Sequence, residues 1–104
     1  MAKEIAIEVH WTKAADKSFQ KKINYLQKEW TDKEIEKFVT RTQQMIAMLK
    51  EYPEMCRLSA KKKNVRIGIL DNHTQIIYHY KPGSSKIEIL LFWGMKRNPA
   101  KFKY

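Results

Sequence analysis

Apolar residues occupy every second position at Ile5, Ile7, Val9 and Trp11, with Glu4, Ala6, Glu8 and His10 between them. That period of two belongs to a strand with one buried face. Thr12 then offers a helix cap. Behind it Ala15, Phe19, Ile23, Leu26 and Trp30 recur at spacings of four, four, three and four, which sets them on one helical stripe. Lys17, Lys21, Lys22 and Lys28 form the solvated side of that helix. Thr31-Asp32-Lys33-Glu34 has the form of a capping box and predicts the start of a second helix. Its apolar stripe is Ile35, Phe38, Val39, Thr42, Ile46 and Leu49, flanked by Met45 and Met48. Tyr52-Pro53 stops it, because the residue before proline is pushed out of helical geometry. The join between the helices is very short, so they are expected to fold back as an antiparallel pair with their methionines and aromatics in the core.

The second half returns to strand patterning. Val65, Ile67 and Ile69 alternate with Arg66, Gly68 and Leu70. Asp71-Asn72 is a turn signal, and Gln75-Ile76-Ile77-Tyr78-His79-Tyr80 is strand-like in composition. A loop, Lys81-Pro82-Gly83-Ser84-Ser85, leads into Ile87–Trp93, which is apolar on both faces as a central strand is. The order strand, helix, helix, strand, strand, strand predicts an α+β fold. In it a four-stranded, mainly antiparallel sheet carries a helical hairpin on one face. The opposite face, lined by the second half, is expected to be open and to hold the function.

Charge sharpens this picture. Residues 1–55 carry 10 Lys/Arg against 9 Asp/Glu, whereas residues 56–104 carry 11 against 2. Nearly all of the formal +10 therefore comes from the second half, which points to a polyanionic partner of a class that charge alone does not choose. The 104 residues suit one domain, 1–104. A single cysteine, Cys56, excludes an internal disulfide framework and reads as a small half-buried hydrophobe. The opening residues show no apolar stretch of signal or membrane-spanning length, so a cytoplasmic protein without a membrane partner is expected. Cys56, His10, His73 and His79 lack ligand spacing, and only three glycines are present, so neither a metal nor another cofactor is expected.

The chain resembles RelE/ParE-superfamily toxins of bacterial type II toxin–antitoxin modules along nearly its whole length. The resemblance lies in Ile7-Glu8-Val9-His10-Trp11-Thr12-Lys13-Ala14-Ala15, a strand running into a capped helix, and in the helical hairpin closing at Tyr52-Pro53. It extends through the basic segment Arg57-Leu58-Ser59-Ala60-Lys61-Lys62-Lys63 and the strand Gln75–Tyr80. It ends with Leu91-Phe92-Trp93-Gly94-Met95-Lys96-Arg97-Asn98-Pro99, which is similar to the family's terminal strand and the arginine after it. The resemblance implies a single toxin-like domain silenced by a cognate antitoxin. It also implies one of two activities: cleavage of messenger RNA in the ribosome, or inhibition of DNA gyrase without nuclease chemistry.

Metal-independent cleavage by a ribose 2′-OH needs a proton acceptor, a cation for the developing charge on phosphorus, and a donor to the leaving 5′-oxygen. Arg97 suits the charge-holding role, because its planar fork matches phosphate oxygens and it stands where the family's terminal arginine falls. Lys61, Lys62 and Lys63 are the densest cationic run. Crowded like charges favour loss of a proton from one of them, so Lys61 or Lys63 is a candidate base and Lys62 a phosphate contact. Arg66 lies on a strand, turned away from Val65 and Ile67, and meets the partner if it faces the open side. Tyr104 is a candidate proton relay seven residues past Arg97. His79 and Tyr80 are candidate base-stacking residues, with Arg57, Lys96 and Lys101 as further nucleic-acid contacts. Gln75 stands where many members place an arginine, which removes one phosphate clamp. The leading expectation is a ribosome-dependent mRNA endonuclease. A non-enzymatic gyrase inhibitor is the alternative, and a basic nucleic-acid-binding module without toxicity a third. The antitoxin is expected to be small and acidic, or to bring an amphipathic helix.

Overall fold

Thr12 is where strand becomes helix, and one hydroxyl manages the change. In the computed structural model, which describes residues 6–97 and 99–104, Thr12 Oγ1 accepts the N–H of Ala15 at 3.1 Å. The same hydroxyl donates towards the carbonyls of Ile89 and Leu90 at 3.0 and 3.1 Å. Strand β1 (Glu8–Trp11) ends there, and α1 (Lys13–Glu29) begins. Ile5 lies outside the described residues.

Helix α2 (Asp32–Glu51) follows after two residues. The capping box is not formed: Thr31 makes no side-chain cap bond, and the Glu34 N–H reaches only its backbone carbonyl, at 3.0 Å. The stripes bury largely as their spacing requires. Ala15, Leu26, Phe38 and Leu49 are buried, with Phe19, Ile23, Ile35, Met45 and Ile46 packed against them. Phe19 stacks on Phe38 with ring centroids 5.1 Å apart. Two expected core residues are exposed instead: Trp30 (56%), which caps the end of α1, and Met48 (51%), on the outer flank of α2.

The sheet has five strands rather than four. They are β1, β2 (Arg57–Leu58), β3 (Val65–Asp71), β4 (Thr74–Lys81) and β5 (Lys86–Gly94), in spatial order β1-β5-β4-β3-β2. Strand β2 pairs antiparallel with β3, placing Arg57 opposite Ile67 and Leu58 opposite Arg66. This strand lies in the basic segment, outside the four strands expected, and two residues are too few to show a period. The first strand pairs in parallel with β5, setting Val9 beside Ile87 and Trp11 beside Ile89.

A register shift in the β4–β5 ladder changes which residues share a face. Ile77 pairs with Leu91 but Tyr78 pairs with Ile89, so Leu90 has no partner. Ile87, Ile89 and Phe92 therefore all join the helix-side core, although Ile89 and Phe92 are three apart. On the other side, Val65, Ile67, Ile77 and Trp93 form a second small core, with Leu90, Leu91, Phe102 and Tyr104 packed against it. The face opposite the helices is thus partly covered by the chain's own last residues, not open throughout as expected.

Between α2 and β2 the backbone comes close to the sheet. A methyl on Gly68 would lie 2.7 Å from Cys56 Sγ and 3.3 Å from Ile76 Cγ2. Tyr78, fully buried, donates its hydroxyl to the Pro53 carbonyl at 2.8 Å and so pins the end of α2. Burial, followed by the neighbouring Cys56, pushes this phenol above its ordinary pKa. Gly68→Ala is expected to destabilise the fold by about 1–3 kcal/mol through overpacking. Gly68→Ala with Cys56→Ala should cost clearly less than the sum of the two single changes, because the methyl then occupies the space of the thiol. Urea denaturation of all three variants measures this, and additive costs would contradict the close approach.

Candidate functional site

The second small core is built from alternation on three strands, and the cations gather at its margin. Trp93 is 6% exposed, and the guanidinium carbon of Arg97 sits 4.5 Å from its ring centroid. The turn after β5 makes this contact, since the Arg97 N–H donates to the Gly94 carbonyl at 3.0 Å and folds the side chain back over the strand. A cation over an indole face gains about 0.5–2 kcal/mol and is held in a narrow range of directions. Phe102 covers another part of Trp93, with centroids 5.0 Å apart, and Tyr104 follows at 6.1 Å from Phe102.

The lysine loop reaches the same cluster through Phe102. Lys61 donates its ammonium to the Phe102 carbonyl at 3.1 Å. Lys61, Lys62, Lys63, Arg57, Lys96, Arg97 and Lys101 are all exposed. Two segments distant in sequence, 57–63 and 96–101, thus bring cations to one aromatic cluster, with Lys61 and Arg97 in contact with it. From Cys56 to Tyr104 the chain has only two acidic residues, Asp71 and Glu88. Glu88 is engaged elsewhere: Lys81 reaches it at 2.9 Å, and this hydrogen bond holds its carboxyl below the usual carboxylate range. Asp71 accepts the His73 N–H at 2.8 Å.

Other residues singled out from the sequence fall in different places. Arg66 is on the helix side of the sheet, not the open side. Its side chain is 15% exposed, donates to the carbonyls of Glu54 and Cys56 at 2.9 and 2.7 Å, and lies 3.6 Å from the Glu54 carboxylate. The alternation placed it correctly opposite Val65 and Ile67, but those two face the second core. Tyr80 also packs against the helix-side core. His79 is on the face of Trp93, yet it is paired at 3.8 Å with Glu88, in the row next to Lys81. Tyr104 is half-buried against Phe102 rather than free. The structure therefore joins Arg97, Lys61 and Tyr104 in one contact path and places Arg66 and Tyr80 on the other face.

Ser59, Trp93 and Phe102 were not singled out and prove central to this arrangement. For Trp93 the signal was available, because it shares the parity of Leu91. For Ser59 and Phe102, partners 45 and 41 residues away in sequence left no local trace. Among the described residues no group of three or more His, Cys, Asp or Glu side chains converges to hold a metal ion, and no helix is long and apolar enough to cross a membrane.

Comparisons with known proteins agree with this architecture. Among solved structures, the fold is similar to a chain of the chromosomal ParDE toxin–antitoxin system from P. aeruginosa. That match has a TM-score of 0.71 and 14% identity over 88% of this chain and 98% of that one. It is also similar to a metal-bound toxin from Helicobacter pylori, with a TM-score of 0.54 and 12% identity over 92% and 99% of the two chains. No curated protein matches by sequence. The sequence model for the ParE toxin of the type II toxin–antitoxin system parDE matches residues 9–99, from β1 through the turn that carries Arg97. The chain therefore belongs to the ParE toxin family, within the RelE/ParE superfamily of type II toxin–antitoxin systems.

Proposed function

We propose that this toxin is a non-enzymatic inhibitor of DNA gyrase, held in check by a cognate antitoxin. The observation that supports it best is the dispersal of the residues expected to meet the partner and to stack on bases. Arg66 is spent on two backbone carbonyls, Tyr80 lies under the helices, and His79 is turned to Glu88. What remains around Trp93 is a cationic, aromatic surface suited to gripping an anionic or protein target. Family membership favours the same reading, since gyrase inhibition is the activity associated with ParE members. Gln75, in place of a phosphate-clamping arginine, agrees with it.

Messenger cleavage is the second reading, and one feature favours it: Arg97 and Lys61 flank the same cluster, as a phosphate clamp would. The antitoxin is a small protein whose acidic or amphipathic segment covers the basic surface.

The purified toxin is expected to block gyrase supercoiling while leaving message on programmed ribosomes intact. New message ends in the A-site window, with supercoiling unaffected, would replace this reading by the nuclease one. Arg97→Ala should raise the inhibitory concentration by about tenfold, the worth of one charge-assisted contact, while the lost indole contact lowers the melting temperature by only about a few degrees and leaves the protein folded. Inhibition that survives Arg97→Ala at wild-type potency would remove Arg97 from the target surface.

A further inference from the structure

Three hydrogen bonds meet on a hydroxyl that none of the chemistry above requires. Ser59 Oγ accepts the backbone N–H groups of Lys61 and Lys62 at 3.0 and 3.1 Å, and donates to the main-chain oxygen of Tyr104. A hydroxyl has one proton and two lone pairs, and here all three are used. The backbone of Ser59 is fixed as well, its N–H donating to the Val65 carbonyl at 2.7 Å. Asn64, at a φ of 61°, closes the loop onto β3 in the left-handed region that asparagine tolerates.

The loop has few other ties: the Lys61 ammonium reaches the Phe102 carbonyl at 3.1 Å, and the Val65 N–H reaches the Lys62 carbonyl at 3.4 Å. Three adjacent ammonium groups repel one another, and their side chains are exposed. Ser59 adds the constraint that reaches the loop amides themselves, gathering them and the Tyr104 backbone at one atom. From there the contacts run through Phe102 and Trp93 to Arg97.

We propose that Ser59 is the positioning residue of the basic surface. Its hydroxyl sets the distance between the lysine loop and Arg97 by docking the Phe102–Tyr104 segment between them. It need not touch the target. The consequence for inhibition rests on the gyrase reading; the geometry does not.

Two substitutions in the full chain test it. Ser59→Ala removes all three bonds but leaves the loop amides able to reach water, so the melting temperature should stay within a few degrees of wild type. Amide exchange at Lys61 and Lys62 should accelerate by about tenfold or more as the loop opens locally. The concentration needed to inhibit supercoiling should rise by about five- to tenfold with the loss of preorganisation. Ser59→Thr keeps the hydroxyl and should restore both. Unchanged exchange in Ser59→Ala, or a threonine variant no better than alanine, would overturn the proposal. If the wild-type toxin leaves gyrase untouched, the gyrase reading falls, and the exchange measurement alone decides the role of Ser59.

Discussion

Strand β5 is buried on both faces, and the two halves of the molecule meet through it. Ile87, Ile89 and Phe92 pack beneath the helices, while Leu91 and Trp93 pack beneath the chain's last residues. Burying a large apolar side chain is worth about 1.5–3 kcal/mol, so this one strand anchors two cores. The unpaired Leu90 makes the double use possible by shifting the parity of the strand partway along it. The backbone groups exposed by that irregularity are not left idle. Thr12 serves the carbonyls of Ile89 and Leu90, and Ser18 accepts the Phe92 N–H at 3.0 Å, so α1 is hydrogen-bonded as well as packed to the sheet.

Much of this architecture was legible in the sequence because it is periodic. Both helices, β1, β3, and the packing of Phe19, Phe38 and Leu49 follow from spacings of two or of three to four, while β4 was readable from composition and β5 from an unbroken apolar run. What escaped was aperiodic or long-range. Strand β2 has two residues and cannot show a repeat. Alternation left the face of Arg66 open for a specific reason: one apolar face per strand is the usual case, and β3 belongs to a sheet with a core on each side. Val65 and Ile67 carry the alternation, yet the helix side of β3 is Arg66, Gly68 and Leu70, with Cys56 filling the space above Gly68. The candidate site divides in the same way. Arg97 and the lysine run were readable as charge, whereas the aromatic support beneath them depends on the docking of Phe102 and Tyr104.

That support explains how a surface so rich in like charge keeps a shape. Exposed cations are normally mobile and gain little from one another. Here Arg97 is laid on an indole and Lys61 is tied to a carbonyl, so two of the cations have fixed directions. A fixed cation recognises geometry, and a mobile one recognises only charge. Arg66 shows the opposite use of the same side chain, its donors consumed in holding the segment between α2 and β2 to the sheet.

The uneven charge along the chain becomes an uneven charge in space. The near-neutral first half supplies both helices and the edge strand β1, and the strongly basic second half supplies the other four strands and the last turns. The folded molecule is therefore a dipole as well as a cation. In the field of a polyanion it is turned before contact, so that the sheet side arrives first and the helices trail. Such orientation acts over about a Debye length, near 8 Å at physiological ionic strength, and fades as salt rises. Encounters with DNA-bound or acidic partners are sorted by direction before any side chain has touched them.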